Sequence, residues 1–197
     1  MEGLALILIG GALFSQSWNF LGLYTDGRTV GAIMVALGLA ALITLVLDPM
    51  VLIGKNLELM AELKGDPGKA NPLAELMVMK MLIIMWAAYA IGVGVQGIWD
   101  YEERAIGLYS AFLTAGSAVA LFYFATQLFD PYGDAVTISL SAATLVLSVL
   151  AGMVTFYLTV PFTVLRLVAG WFLLVGSIAV SGIGWAIITT IIEVTKS

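Results

Sequence analysis

Residues 29–47 read TVGAIMVALGLAALITLVL, an unbroken apolar stretch without a charge, closed by Asp48-Pro49. A helix needs roughly 20 predominantly apolar residues to cross a hydrocarbon core about 30 Å thick, and this stretch meets that requirement alone. Five more such stretches follow from the placement of charge. Span one covers about residues 3–24 and ends at Thr25-Asp26-Gly27-Arg28. Span two covers 29–47. Span three covers 76–99 and closes at Asp100-Tyr101-Glu102-Glu103-Arg104. Span four covers 105–129 and stops at Asp130-Pro131-Tyr132-Gly133-Asp134. Span five covers 135–160, and Pro161 marks a tight turn into span six, 162–192. Residues 50–75 form one long polar connection in which Pro67 and Pro72 are expected to break helix, with an amphipathic stretch over 51–63.

Run length decides between helix and strand. The apolar runs are about 20 residues long and show no alternation of period two, so helices are expected rather than barrel strands. The fold class expected is an all-α integral membrane protein, a single domain over 1–197 made of six transmembrane helices in three helical hairpins. Composition agrees: 61% of the 197 residues are hydrophobic and 11% charged, with a mean hydropathy of +1.07, whereas soluble domains carry about 25% charged residues. The N-terminal run has no preceding positive charge and exceeds an ordinary signal-peptide core, so it is expected to stay as the first helix. The expected location is the cell membrane, as a multi-pass protein.

The absent residue types exclude several chemistries. With no Cys there is no disulfide, thiol nucleophile or thiolate metal site. With no His the usual general base, the commonest metal ligand and the near-neutral titrating side chain are missing. No Walker loop, dinucleotide fingerprint or zinc motif occurs. No enzyme activity, metal or cofactor is therefore expected. A net charge of −5 and a pI near 4.5 argue against nucleic acid as a partner.

Function has to come from polar groups inside the spans, where they are costly and tend to face the bundle or a wet pathway. No acidic residue lies near the centre of any span, which disfavours proton pumps and cation-coupled transporters. Lys80 and Arg166 lie about a turn inside their spans and are expected to reach back to the headgroups. The neutral polar residues cluster instead. Ser15, Gln16 and Asn19 lie on span one, with Ser15 and Asn19 on one face. Trp86, Tyr89 and Gln96 lie on span three, and Tyr109, Ser110, Thr114 and Ser117 on span four. Neutral donors and acceptors between aromatic walls suit a small uncharged solute, because they replace its hydration without attracting ions. The same residue types also bridge packed helices, and the chemistry alone leaves pathway and packing both open. The small-residue pairs Gly11/Ser15, Ser110/Thr114/Ala118 and Gly116/Ala120 have the spacing that lets helix backbones approach.

Several segments resemble a known family. LALILIGGALFSQ at 4–16, followed by Leu21-Gly22-Leu23, Asp26 and Arg28, is similar to the opening of the AmiS/UreI family of urea and short-chain amide channels. WAAYAIG at 86–92, GIWD at 97–100 and YSAF at 109–112 resemble that family's hairpin of spans three and four. The resemblance implies a six-helix bundle with its own pore in each protomer, protomers in a ring of six, and passive conduction past aromatic and aliphatic constrictions. Where the family has Asn in span one this chain has Gln16, and the Asn after the span-three Tyr is Val93. The family's Trp-rich fifth span reads TISLSAAT at 137–144, and Gly170-Trp171 occupies the neighbourhood of its span-six Glu.

The expectation is a passive channel for a small neutral polar solute (urea, a short-chain amide or ammonia), embedded in the lipid bilayer as a homo-oligomeric ring. Ser15, Gln16, Asn19 and Ser110 are the expected hydrogen-bonding pore groups. Trp86, Tyr89, Tyr109 and Trp171 are the expected constriction or stacking walls. The competing expectation is a non-catalytic structural subunit of a larger membrane complex, with the same polar residues acting as helix glue. For orientation, Lys55, Lys64, Lys69, Lys80 and Lys196 fall on one face against Arg28, Arg104 and Arg166 on the other. The positive-inside rule thus places both termini in the cytoplasm, whereas the family resemblance implies the opposite.

Overall fold

The computed structural model describes residues 2–23, 26–47, 72–101, 103–127, 135–159 and 163–194. They form six helices and, among the described residues, no strand: α1 (Glu2–Leu21), α2 (Gly27–Leu47), α3 (Pro72–Trp99), α4 (Glu103–Gln127), α5 (Ala135–Thr159) and α6 (Thr163–Val194). Each contains a stretch long and apolar enough to cross a membrane. In hydrocarbon every backbone N–H and C=O must be satisfied internally, which long helices do and open strands do not. The protein is an all-α six-helix membrane bundle. The polar connection over 50–71, its amphipathic stretch, and the Pro161 turn lie outside the described residues.

Local chemistry sets the helix ends. Span one, expected to run to Tyr24, stops at Leu21 because Gly22 adopts φ +69° and the Leu23 N–H bonds the Trp18 carbonyl at 3.1 Å. That pairing is a Schellman cap. The end of α3 repeats it, with Asp100 at φ 58° and the Tyr101 N–H on the Gln96 carbonyl at 3.3 Å. A non-glycine residue there carries strain. Pro72, expected to break helix, instead opens α3, where a missing N–H costs nothing.

The helices pack in a closed ring in chain order, with α1 lying against both α2 and α6 and reaching across to α3. Neighbours run antiparallel, so the 1–2, 3–4 and 5–6 turns share one end of the bundle. Two seams are set by backbone contact. A Cβ on Gly31 would stand 2.5 Å from the Gly94 carbonyl oxygen, and the reverse substitution meets the same 2.5 Å, which fixes α2 on α3. Gly3 and Gly184 show the same reciprocity at 2.6 Å between α1 and α6, and Gly10 lies against the Ser177 carbonyl. The pairs Gly11/Ser15 and Gly116/Ala120 make no such seam: Gly11 meets only the Leu37 side chain and Gly116 only Met85. Between α4 and α5 the contact is by hydroxyls. Thr155 donates to Ser110 Oγ at 3.1 Å and lies 3.1 Å from Thr114 Oγ1, polar glue of the kind common between membrane helices.

Leu6, Ile9, Met79, Phe124, Leu140 and Ile187 fill the interior toward the end that carries residue 2, and Leu113, Leu147 and Leu173 continue the same core at mid-depth. The outward faces carry exposed apolar side chains such as Leu108, Phe122 and Val164, as a bilayer-facing surface requires.

Candidate functional site: an axial cavity above a hydrogen-bonded floor

At the end of the bundle where the short turns lie, the ring does not close on its axis. It leaves a cavity of about 160 Å³ to which all six helices contribute: Gln16 and Asn19 from α1, Met34 from α2, Gln96 from α3, Ile106 from α4, Tyr157 from α5 and Arg166 from α6. This volume has room for several waters or one solute of the size of urea or acetamide. Met34 lies seven residues into α2 from Gly27, about 10 Å along the axis at 1.5 Å per residue. The cavity therefore enters about a third of a 30 Å hydrocarbon core.

Its lining is largely neutral. The amides of Gln16, Asn19 and Gln96 sit among Phe20, Val30 and Val93, and charge appears only at the exposed residues Asp100 and Arg166. Arg166 donates from Nη2 to the Asn19 carbonyl at 3.2 Å, so it ties α6 to the end of α1 instead of simply reaching for headgroups. Asp100 owes its place to the strained cap that ends α3.

Gln16 is the deepest α1 residue in the lining, and the polar interior continues below it. Its Nε2 donates to the Tyr89 hydroxyl at 2.7 Å. The Tyr89 ring stands edge-on to Trp86, centroids 5.5 Å apart, a favoured aromatic geometry. Trp86 Nε1 donates to Ser117 Oγ at 3.2 Å. Gln16, Tyr89, Trp86 and Ser117 are all essentially fully buried, and together they link α1, α3 and α4 across the bundle. The floor has one imperfection. Gln16 Oε1 is buried and has no hydrogen-bond partner, alone among the buried side-chain polar atoms of the described residues. Turning the amide over would exchange which end is orphaned without removing the orphan.

The expected site residues thus separate into groups. Gln16 and Asn19 reach the cavity, and Tyr89 and Trp86 lie directly beneath it. Ser15 does not reach it, because its hydroxyl bonds the Gly11 carbonyl of its own helix at 3.0 Å. Tyr109 donates to the Met85 carbonyl at 2.9 Å and acts as an α3–α4 tie. Ser110 bonds the Gly107 carbonyl at 2.7 Å within the α4–α5 hydroxyl cluster. Trp171 stands on the outer surface of α6, 56% exposed, because Gly170 and Leu173 on either side of it turn inward; it is not in the cavity wall. Gln96, Arg166, Asp100 and Tyr157 are wall residues that the expected set leaves out. Gln96 had a usable signal, since it stands seven residues from Tyr89 on one helical face. Arg166 and Tyr157 had none, because long-range packing places them, and Asp100 reaches the wall through the local cap that ends α3.

Among the described residues no group of three or more His, Cys, Asp or Glu is placed to hold a metal ion. No family model, curated protein or solved structure matches the chain.

Proposed function

We propose that this chain is a passive channel of the cell membrane for a small neutral polar solute: urea, a short-chain amide or ammonia. The observation that carries this reading is the axial cavity, walled by all six helices and ending on the hydrogen-bonded Gln16 amide. A neutral solute leaving water needs replacement donors and acceptors, and Gln16, Asn19 and Gln96 offer both without a fixed charge that would hold an ion. None of the six spans contains a carboxylate, and their only cations are Arg28, Lys80 and Arg166, so coupling to a proton or metal cation has no group to work through. Conduction then requires Gln16, Tyr89 and Trp86 to move aside, opening a route through the packed core toward the other end. The segments similar to AmiS/UreI channels, residues 4–16 and the α3–α4 hairpin, include Gln16, Trp86 and Tyr89.

Assembly into a homo-oligomeric ring, of six by that resemblance, belongs to the same proposal, and native mass spectrometry in detergent tests it. A second reading has its own support. The tightly filled half of the bundle beneath Trp86 suits a non-catalytic structural subunit of a larger membrane complex. Solute uptake by proteoliposomes separates the two. A channel raises urea or acetamide permeability above that of empty vesicles, and a structural subunit leaves it unchanged.

A further inference from the structure

A buried polar atom without a partner is uncommon in a folded protein and makes its arrangement costly to keep. Gln16 has such an atom at the inner end of the axial cavity, where a solute entering it would meet the protein interior. Its carboxamide carries an acceptor oxygen and two N–H groups. Tyr89 takes one N–H, leaving the oxygen unsatisfied and the second N–H on the same small group. A carboxamide edge of this kind is complementary to a molecule that presents a donor N–H beside an acceptor oxygen, since two antiparallel N–H···O bonds then form.

We infer that Gln16 is the specificity-determining residue of the cavity: its carboxamide leaves Tyr89 and pairs with a solute bearing both an N–H donor and an acceptor oxygen, a carboxamide or a urea. The Gln16–Tyr89 hydrogen bond is then a latch, and the solute is its competitor. Release of Gln16 satisfies the orphaned oxygen and frees the Tyr89 ring, together with Trp86 packed edge-on against it. Solutes with an acceptor alone leave Gln16 half satisfied and stay in the outer cavity. Ammonia, which lacks the acceptor oxygen, is a poor key for the same latch. The inference rests on the channel reading and supplies its filter.

Binding to the purified full chain in detergent, read by saturation-transfer-difference NMR, tests it apart from conduction. Acetamide is expected to bind saturably, and both N-methylacetamide, whose trans amide puts its one N–H on the edge opposite its oxygen, and N,N-dimethylacetamide, which has no N–H, at least about tenfold more weakly. Gln16→Met, close in volume, is expected to abolish the preference for acetamide over its dimethyl analogue. Tyr89→Phe is expected to tighten acetamide binding severalfold, because the competitor for Gln16 is gone. Equal binding of acetamide and N,N-dimethylacetamide overturns the inference, as does an unchanged preference in Gln16→Met. If Gln16→Met does not fold, Tyr89→Phe decides: unaltered or weaker acetamide binding overturns the latch. Acetamide flux into proteoliposomes distinguishes this failure from that of the channel reading. Flux without an acetamide preference overturns the filter alone, and selective binding without flux overturns the channel alone.

Discussion

Gln16 on α1 donates a 2.7 Å hydrogen bond to the hydroxyl of Tyr89 on α3, 73 positions later in the chain, at the inner end of the axial cavity. This single bond joins the polar outer part of the bundle to its packed inner part. Tyr89→Phe removes the acceptor and leaves both ends of the Gln16 amide unsatisfied. The expected loss of stability is about 1–2 kcal/mol, read as a lower midpoint of thermal unfolding in detergent, with the helical content unchanged.

The α2–α3 seam depends on the absence of side chains. Gly31→Ala or Gly94→Ala would push a methyl into the opposing carbonyl oxygen, 2.5 Å away in each case. Since the obstacle is backbone, the helices must separate, at an expected cost of about 1–3 kcal/mol. Gly92, on the same helix as Gly94, has nothing within 4 Å of a new Cβ. Gly92→Ala is expected to leave the unfolding midpoint unchanged or raise it slightly. A larger loss at Gly92 than at Gly94 would contradict the packing.

Asp100 holds a left-handed backbone conformation, φ 58°, at the C-terminal cap of α3, where Gly22 serves the same purpose for α1 at no steric cost. Asp100→Gly is expected to stabilise the bundle by up to about 1 kcal/mol, measured by thermal unfolding. Solute flux measured in parallel then reports whether the carboxylate at the cavity wall contributes to uptake.

Trp171 points outward from α6 and is 56% exposed, whereas Trp86 is fully buried and donates to Ser117. Trp171→Ala is expected to leave the solute permeability of reconstituted vesicles within about twofold of the parent. Trp86→Ala removes a large core side chain, with an expected destabilisation of about 3–5 kcal/mol. Trp86→Phe keeps most of the volume and removes the N–H that donates to Ser117 Oγ, for about 1 kcal/mol. An effect of Trp171 on flux equal to that of Trp86 would contradict the assignment of the wall.

The architecture was legible because the bilayer makes it so. Charges such as Arg28, Asp48 and Asp100 stand at the ends of apolar runs, and the resulting spans lie within a few residues of the observed helices. The small disagreements come from local backbone chemistry: Gly22 ends α1 three residues before Tyr24, and Pro72 starts a helix. The site was legible only in part. Gln16 and Asn19 announce themselves as polar side chains within an apolar run, and so did Ser15, Tyr109 and Ser110. What separates them is whether a hydroxyl finds a carbonyl of its own or a neighbouring helix or an amide is left facing the axis. Helix rotation and long-range packing decide that, and spacing along the chain does not reveal it. The backbone seams were hidden for a related reason. Gly31 and Gly38 stand seven residues apart on α2, and Gly94 and Gly97 three apart on α3, a match that appears only when the two helices are laid against each other.

In the proposed channel a small neutral solute crosses the membrane through this bundle, passing the Gln16–Tyr89 bond. The most direct measurement is stopped-flow uptake of acetamide or urea by proteoliposomes containing the purified chain. The expected result is permeability at least about tenfold above protein-free vesicles, without conductance to ions and without need of a membrane potential. Permeability equal to that of protein-free vesicles, with the protein folded and correctly incorporated, would contradict the account.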